Sequence, residues 1–498
     1  MANALGTKSK AAFRLGSDAG IINGAYPTTE ATADTQETVL DGYDQIPLAN
    51  ESITEGRENE VGETLLGTPA VSHHDQVAIM PGGSVELHGF YDGLDQILAA
   101  VMGYEHPGTD AAPVSPDYTK GTAEIAGTAT GTQGSTKLVD TGTSPFAVGD
   151  IGKFIQLYGA NSASGQIRRI TAYVSTSEVT VGTAWDVTPT DGSTTYRVSQ
   201  EFQHFYELSK QLQDELWSAE YAAYPTTGVG GATDKIIRHG TLGFQKYATK
   251  PWVWRGCYIN SITFNFSAKS GMTISLDVVP FNLERASATN ATTTGWGFSE
   301  SALFSPLENE RILFNHLSGS GYLRIGEFGE GVMDSTDEYG ISDFSITLNN
   351  NLKVDDQDAN TGDYRVEPAR GNHREVTGSF TLPRYAADTF QDWAADQDIL
   401  MAHIKFAGST ISTIARAFEI FISSFKLESP AAPISGAEAV KQTYSFRALI
   451  PVSNPAFTAD AAPHGNTTQY QTAPRSELMI RTTNQCGFNF LRDQNKEY

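Results

Sequence analysis

A strand–loop–strand–helix passage occurs twice in this chain, and a doubled unit constrains a fold more than any single motif. The first copy runs Glu51-Ser-Ile-Thr54, an acidic loop, Ser84-Val-Glu-Leu-His88 and the helix-like stretch Gly93–Met102. The second runs Phe344-Ser-Ile-Thr347, an acidic loop, Glu375-Val-Thr-Gly-Ser-Phe380 and Tyr385–Ala394. Ile53 and Ile346 are 293 positions apart, Val85 and Val376 are 291 apart. A near-constant offset across two elements is the mark of a duplicated domain, and duplicated folds build by repetition.

Period-two alternation supplies the remaining strands. Ile262, Phe264 and Phe266 alternate, Lys269-Ser-Gly271 turns, and Met272, Ile274, Leu276 and Val278 return. Later Phe418, Ile420 and Ile422 run out, a loop holds Pro430, Pro433 and Gly436, and Val440, Gln442, Tyr444, Phe446, Ala448 and Ile450 come back. Such alternation buries one face of each strand. The helical stretches carry apolar stripes: Leu94, Ile97, Leu98 and Val101 in one, with Asp92 near its N-cap, and Ala386, Phe390, Trp393 and Ala394 in the other. The expected fold is mainly β: two tandem β-sandwich or half-barrel units, each flanked by one α-helix.

The hairpins set the domain boundaries. Cys257–Phe266 is similar to Phe418–Leu427 at a separation of only 161, so 293 less 161 leaves 132 additional residues in the first unit. The expected organisation is an extended N-terminal arm at 1–45 and a first unit at 46–112 and 240–300. An inserted small β domain at 113–200 would lie on the outer surface. A connector follows at 201–239, then a second unit at 301–455 and a polar C-terminal tail at 456–498. Within the insertion, Gly149-Asp150, Gly159-Ala-Asn161 and Asp191-Gly192 separate short apolar runs as turns do. The mixed aromatic and acidic character of Phe202–Tyr221 suits a helix.

Bulk composition excludes several classes. With 34 Lys and Arg against 58 Asp and Glu, the net charge of −24 repels phosphates and anionic lipid surfaces. The 498 residues exceed what one core holds, and 47 glycines with only 18% charged residues suit a turn-rich β protein. Two cysteines, Cys257 and Cys486, are too few for a disulfide framework or a Cys-rich metal site. The first ten residues show no apolar core of a secretory signal, and no apolar run has bilayer-spanning length.

Catalytic and ligand motifs are sparse. His73-His74-Asp75 lies on a strand, where neighbours point to opposite faces and cannot share an ion easily. Asp356, Asp358, Asn360 and Glu367 approach the alternate oxygen ligands of a calcium loop. However, the glycine sits one place late, at Gly362, and the flanks read as strands, so an acidic connecting loop is the competing reading. Gly228–Lys235 lacks the order of a phosphate-binding loop, and no nucleophile elbow or His-Glu-x-x-His motif occurs. No active site and no cofactor are expected.

Four stretches, taken in order, resemble the tail tube proteins of long-tailed phages. They are Gly83–Leu98, Ile341–Leu352, Val376-Thr-Gly-Ser-Phe380 and Tyr444–Ile450. The resemblance implies a structural, non-enzymatic virion protein, assembled in the host cytoplasm, whose strands join those of its neighbours around a hollow lumen. A chain with two units would form trimeric, pseudo-hexameric rings that stack into a tube, with residues 1–45 and the loop 354–374 bridging rings. Expected partners are further copies of the chain and the tape measure, tail terminator and tail-tip proteins. DNA would transit an acidic lumen without specific binding, and no membrane insertion is implied. The alternative is a sugar- or calcium-binding β-sandwich surface or decoration module. Self-assembly separates the two.

Overall fold

The structure is a computed structural model that describes residues 10–15, 45–62, 73–105, 125–158, 166–208 except 183 and 186, 239–245, 251–285 except 269, 310–357, 362–384 except 367, 388–411, 414–431, 441–451, 457 and 476–486. In chain order the first half supplies β1 (Lys10–Leu15), β2 (Gln45–Ile46), β3 (Leu48–Glu51), β4 (Arg57–Gly62), β5 (His73–Ile79) and β6 (Gly83–His88). The helix Asp95–Met102 and β7 (Gly103–Glu105) follow. Next come β8 (Ile125–Thr128), β9 (Lys137–Val139), β10 (Phe154–Tyr158), β11 (Ile167–Ser175), β12 (Glu178–Val181) and β13 (Thr195–Ser199). Then β14 (Phe202–Leu208), β15 (Gly240–Gln245), β16 (Pro251–Ser267), β17 (Thr273–Val279) and β18 (Asn282–Arg285) complete the half. The second half supplies β19 (Tyr322–Glu327), β20 (Asp343–Asn349), β21 (Leu352–Lys353), β22 (Ala369–Arg370), β23 (Glu375–Leu382) and the helix Thr389–Asp396. It ends with β24 (Leu400–Thr410), β25 (Ala415–Ala431), β26 (Gln442–Ala448) and β27 (Leu478–Asn484). The protein is mainly β, as its alternation requires.

The doubling is visible in the hydrogen-bond ladders. In the first half β3, β6, β17 and β16 pair in that order, all antiparallel. In the second, β20, β23, β26 and β25 pair in the same order. A second layer repeats too: β1–β15–β16 answers β19–β24–β25. β16 and β25, each 17 residues long, serve both layers of their unit, with bulges where register shifts. The apolar faces of the two units, such as Ile262, Phe264, Ile346, Leu348, Phe418 and Ile420, are all at or below 1% exposed and merge into one core.

The ladders correct the alignment taken from sequence. With Val85 level with Val376, Leu276 is level with Ala448, and hence Ile262 with Phe425, an offset of 163 rather than 161. On the other flank Leu48, not Ile53, is level with Ile346, because Leu48 faces Leu87 and Ile346 faces Gly378. Apolar residues two places apart look alike in a period-two pattern, and the bulge between Leu48 and Asn50 lets Leu48 and Ile53, five places apart, share a face, so only pairing decides between them.

Strands β8 to β13, between residues 125 and 199, form a separate six-stranded sheet around Leu138, Ile155, Leu157, Ile170, Val179, Trp185 and Tyr196. Phe202–Leu208 is a strand and not the start of a helix: β14 pairs with β27 and β7. Residues 209–221 lie outside the described residues. The C-terminal tail also holds a structured element, since β27 is buried at every residue between β25 and β14. Both strands are covered on two faces, which removes the alternation that marks a half-buried strand. The helix Asp95–Met102 is likewise buried on all sides. Leu94, rather than Asp92, occupies its N-cap position. Asp92 instead accepts the Gln485 amide at 2.7 Å, and Asp95 accepts from Tyr206 (3.0 Å), Thr482 (3.0 Å) and Asn484 (2.9 Å), so β27 is tied to the helix start. Among the described residues no helix is long and apolar enough to cross a membrane.

Candidate functional site

The two four-stranded sheets join edge to edge. β16 of the first unit pairs with β20 of the second over Ser261↔Asn349 to Ser267↔Asp343, so eight strands run continuously from β3 to β25. The closed seam buries Phe264 and Ile346 side by side, and Thr263 and Thr347 share a 2.9 Å hydroxyl hydrogen bond on the opposite face. Burial of each such large apolar side chain contributes about 1.5–3 kcal/mol.

The outer two edges have, among the described residues, no further strand on them. Among the described residues β3 pairs with no strand but β6, and from Lys426 onward β25 pairs with none but β26. These are the edges that the repeat makes equivalent to the two sides of the closed seam. The segment of β25 after Phe425 corresponds to Thr263–Ser267, and β3 corresponds to the part of β20 around Ile346. A row of backbone donors and acceptors left at such an edge is a template for another strand.

One face of the eight-stranded sheet is polar along its whole width. One cross-strand row reads Glu86, Ser275, Thr263, Thr347, Thr377, Arg447 and Lys426. The next reads His88, Thr273, Asn265, Ser345, Ser379, Ser445 and Glu428. Short hydroxyls and amides dominate its centre and bond to each other, as Ser345 to Asn265 (2.9 Å), Thr381 to Thr443 (3.1 Å) and Ser267 to Asp343 (2.7 Å). The carboxylates on this face are Glu86, Asp277, Asp343, Glu375 and Glu428, and Arg447 pairs with two of them at 3.2 and 3.4 Å. The face is therefore hydroxyl-rich and only weakly acidic. Most of the 58 acidic residues lie elsewhere. Sequence reasoning left the identity of such a face open. The signal was there, in the polar members of each alternating strand.

At one end of the sheet the loops that follow β3 and β20 meet. The β4–β5 hairpin is met by Asp363, whose carbonyl accepts the Ile79 amide at 2.6 Å and whose carboxylate accepts from Gln76 at 3.2 Å. Phe281 and Tyr364 stack beside it, 4.9 Å between centroids. Of the four residues expected as calcium ligands only Asp356 is among the described residues; Asp358, Asn360 and Glu367 lie outside them. The Asp356 carboxylate forms an ion pair with Lys353, and its carbonyl accepts the Val366 amide at 2.9 Å. Among the described residues no three His, Cys, Asp or Glu side chains converge to hold a metal. His73–Asp75 begins β5, where successive side chains alternate.

A polar cluster inside the second unit holds its long strand in place. His403, Glu419 and Arg481 are each at most 2% exposed: Arg481 grips Glu419 through two hydrogen bonds of 3.0 and 2.5 Å, and His403 Nε2 meets it at 2.9 Å. Burial lowers the His403 pKa to about 4, so the ring is neutral, while the Arg481 charge overcomes burial and holds the Glu419 carboxyl well below its ordinary range. The cluster is buried from solvent and joins β24, β25 and β27.

The family model described as Phage tail tube protein matches residues 24–448, most of the chain and nearly all of both units. No curated protein matches the chain at a significant level.

Proposed function

The chain belongs to the phage tail tube protein family, and from that premise we propose that its copies close into rings by joining the open edge of β25 on one copy to the open edge of β3 on the next. Its role is structural, within the virion tail, and self-association into the tube goes with that role. The observation that carries the finer reading is the closed seam between β16 and β20: the chain already makes, within itself, the junction that ring closure needs. Each copy presents one more of each edge. A head-to-tail contact of this kind yields a closed ring when its rotation closes.

Three copies, each with two units, would give a pseudo-hexameric ring, and stacked rings a tube. The polar face then lines the lumen, and the apolar face carries the core. Hydroxyls and amides bind phosphates far less than basic side chains do, and the few carboxylates repel them, so DNA would pass without sticking. The β4–β5 hairpin and the Asp363–Tyr364 segment that meets it stand at one end of the sheet, where the next ring would meet them. The sheet at 125–199 is separate from the eight-stranded sheet and would lie on the outside. No step of this role requires catalysis.

Size-exclusion chromatography with light scattering, followed by negative-stain electron microscopy of the purified chain at high concentration, tests it. Rings of three copies or hollow tubes are expected. A chain that stays monomeric at every concentration, and fails to add to tubes nucleated on tail tips, would overturn it.

A further inference from the structure

In the two central polar rows of the closed seam the pairs are neutral, Thr263 with Thr347 and Asn265 with Ser345, but at the two open edges the same rows are charged, and the charges are complementary. Carrying the register of the closed seam across the repeat places Lys426, the equivalent of Thr263, opposite Asn50 of the next copy, the equivalent of Thr347. The next residue in that row is Glu86, which faces Asn50. Two places along, Glu428, the equivalent of Asn265, comes opposite Pro47, whose carbonyl accepts the His88 amide at 2.9 Å. His88 in turn accepts a hydrogen bond from Arg311 at 3.1 Å. Burial and the Arg311 charge both lower the His88 pKa, so the positive charge in this row belongs to Arg311. One edge thus presents plus then minus, and the other minus then plus, in the same two rows.

We infer that the seam between copies is keyed by charge at the lumen face, Lys426 of one copy against Glu86 of the next and Glu428 against Arg311, and that this key sets both partner and register. The inference rests on the ring reading above. Lys426 and Glu86 lie two strand spacings apart in this arrangement, about 10 Å between backbones. Two long side chains leaning across Asn50 span that gap. Glu428 is already held by Arg447 at 3.4 Å, both half exposed, so the Lys426 contact carries more of the discrimination. A slip of two residues keeps the apolar face inward and would otherwise be tolerated. Here it sets Lys426 beside Arg311, or Glu428 beside Glu86, and like charges at an interface reject the wrong pairing.

Assembly of the full chain is followed by light scattering for wild type, Lys426→Glu, Glu86→Lys and the double variant, with thermal unfolding of each as a folding control. Each single reversal is expected to raise the concentration at half-assembly about tenfold or more at low salt, and the double variant to return within about threefold of wild type. Assembly of wild type with singles that match it, or a double variant as poor as the singles, overturns the key and leaves the ring reading standing. Failure of wild type itself to assemble would instead count against the ring reading. If a reversal lowers the unfolding temperature, Lys426→Ala with Glu86→Gln replaces it. Their assembly must lose the salt dependence of wild type, and an unchanged salt slope overturns the proposal.

Discussion

The seam inside the chain and the pair of edges at its ends occupy equivalent backbone positions of the repeat but carry different side chains. Inside, Thr263 meets Thr347 and Asn265 meets Ser345, neutral pairs that select nothing. At the ends the equivalent places hold Lys426 and Glu428 on one side, with Glu86 and the His88–Arg311 pair behind the other. A tethered seam forms at high effective concentration and has one possible partner. A seam between separate molecules has to find its partner and its register, and the proposed charge key would do this without adding apolar surface. On the proposed ring closure, duplication of the unit would free the inner seam from a task that the outer one keeps.

The largest effect on this comparison is expected from Leu48→Pro. Leu48 stands where Ile346 stands in the closed seam, and proline removes an edge donor while edge strands tolerate it. Light scattering should show assembly abolished, with the unfolding temperature of the monomer within a few degrees of wild type. Ile346→Ala strikes the inner seam instead. At 0% exposure it should cost about 2–5 kcal/mol of stability by denaturant titration. Assembly of the folded fraction should be unchanged. If Ile346→Ala blocks assembly at full foldedness, the two seams are not independent.

Two buried groups set opposing pH effects. His403, lowered to about 4 from 6.5, binds its proton more readily in the unfolded chain, so stability is lost as pH falls from 6.5 to 4. Asp92, raised by burial to about 6 from 3.8, binds its proton more readily when folded, so stability is gained as pH falls from 6 to 3.8. The unfolding temperature of wild type should be nearly flat between pH 4 and 6. Asp92→Asn should unmask a rise with pH across that window, and a flat profile in the variant would remove the assignment. The smallest effect is expected from Thr263→Val with Thr347→Val. Loss of the 2.9 Å hydroxyl pair should change stability by no more than about 1 kcal/mol and leave assembly untouched.

Alternation and doubling made much of this fold legible. Ile262, Phe264 and Phe266, with Met272, Ile274, Leu276 and Val278 in return, mark a hairpin because each has water on its other side. β14 and β27 were not legible, since Phe205, Tyr206, Met479 and Thr482 are buried on both faces and no period survives. Asp92 reads as a residue near a helix start, and the hold of Asp92 and Asp95 on Thr482, Asn484 and Gln485 joins residues almost 400 positions apart in the chain, with no local signature.

The amino-acid sequence by itself determined that the chain is β-rich, duplicated and acidic, because side-chain period, repeat offset and charge are properties of the linear order. The tertiary structure alone decided which edges close and which stay open. It also decided that the broad polar face is lined by hydroxyls rather than by the acidic excess. Pairing register is set by the packing of whole faces, and a shift of two residues leaves the linear pattern unchanged while moving every cross-strand partner.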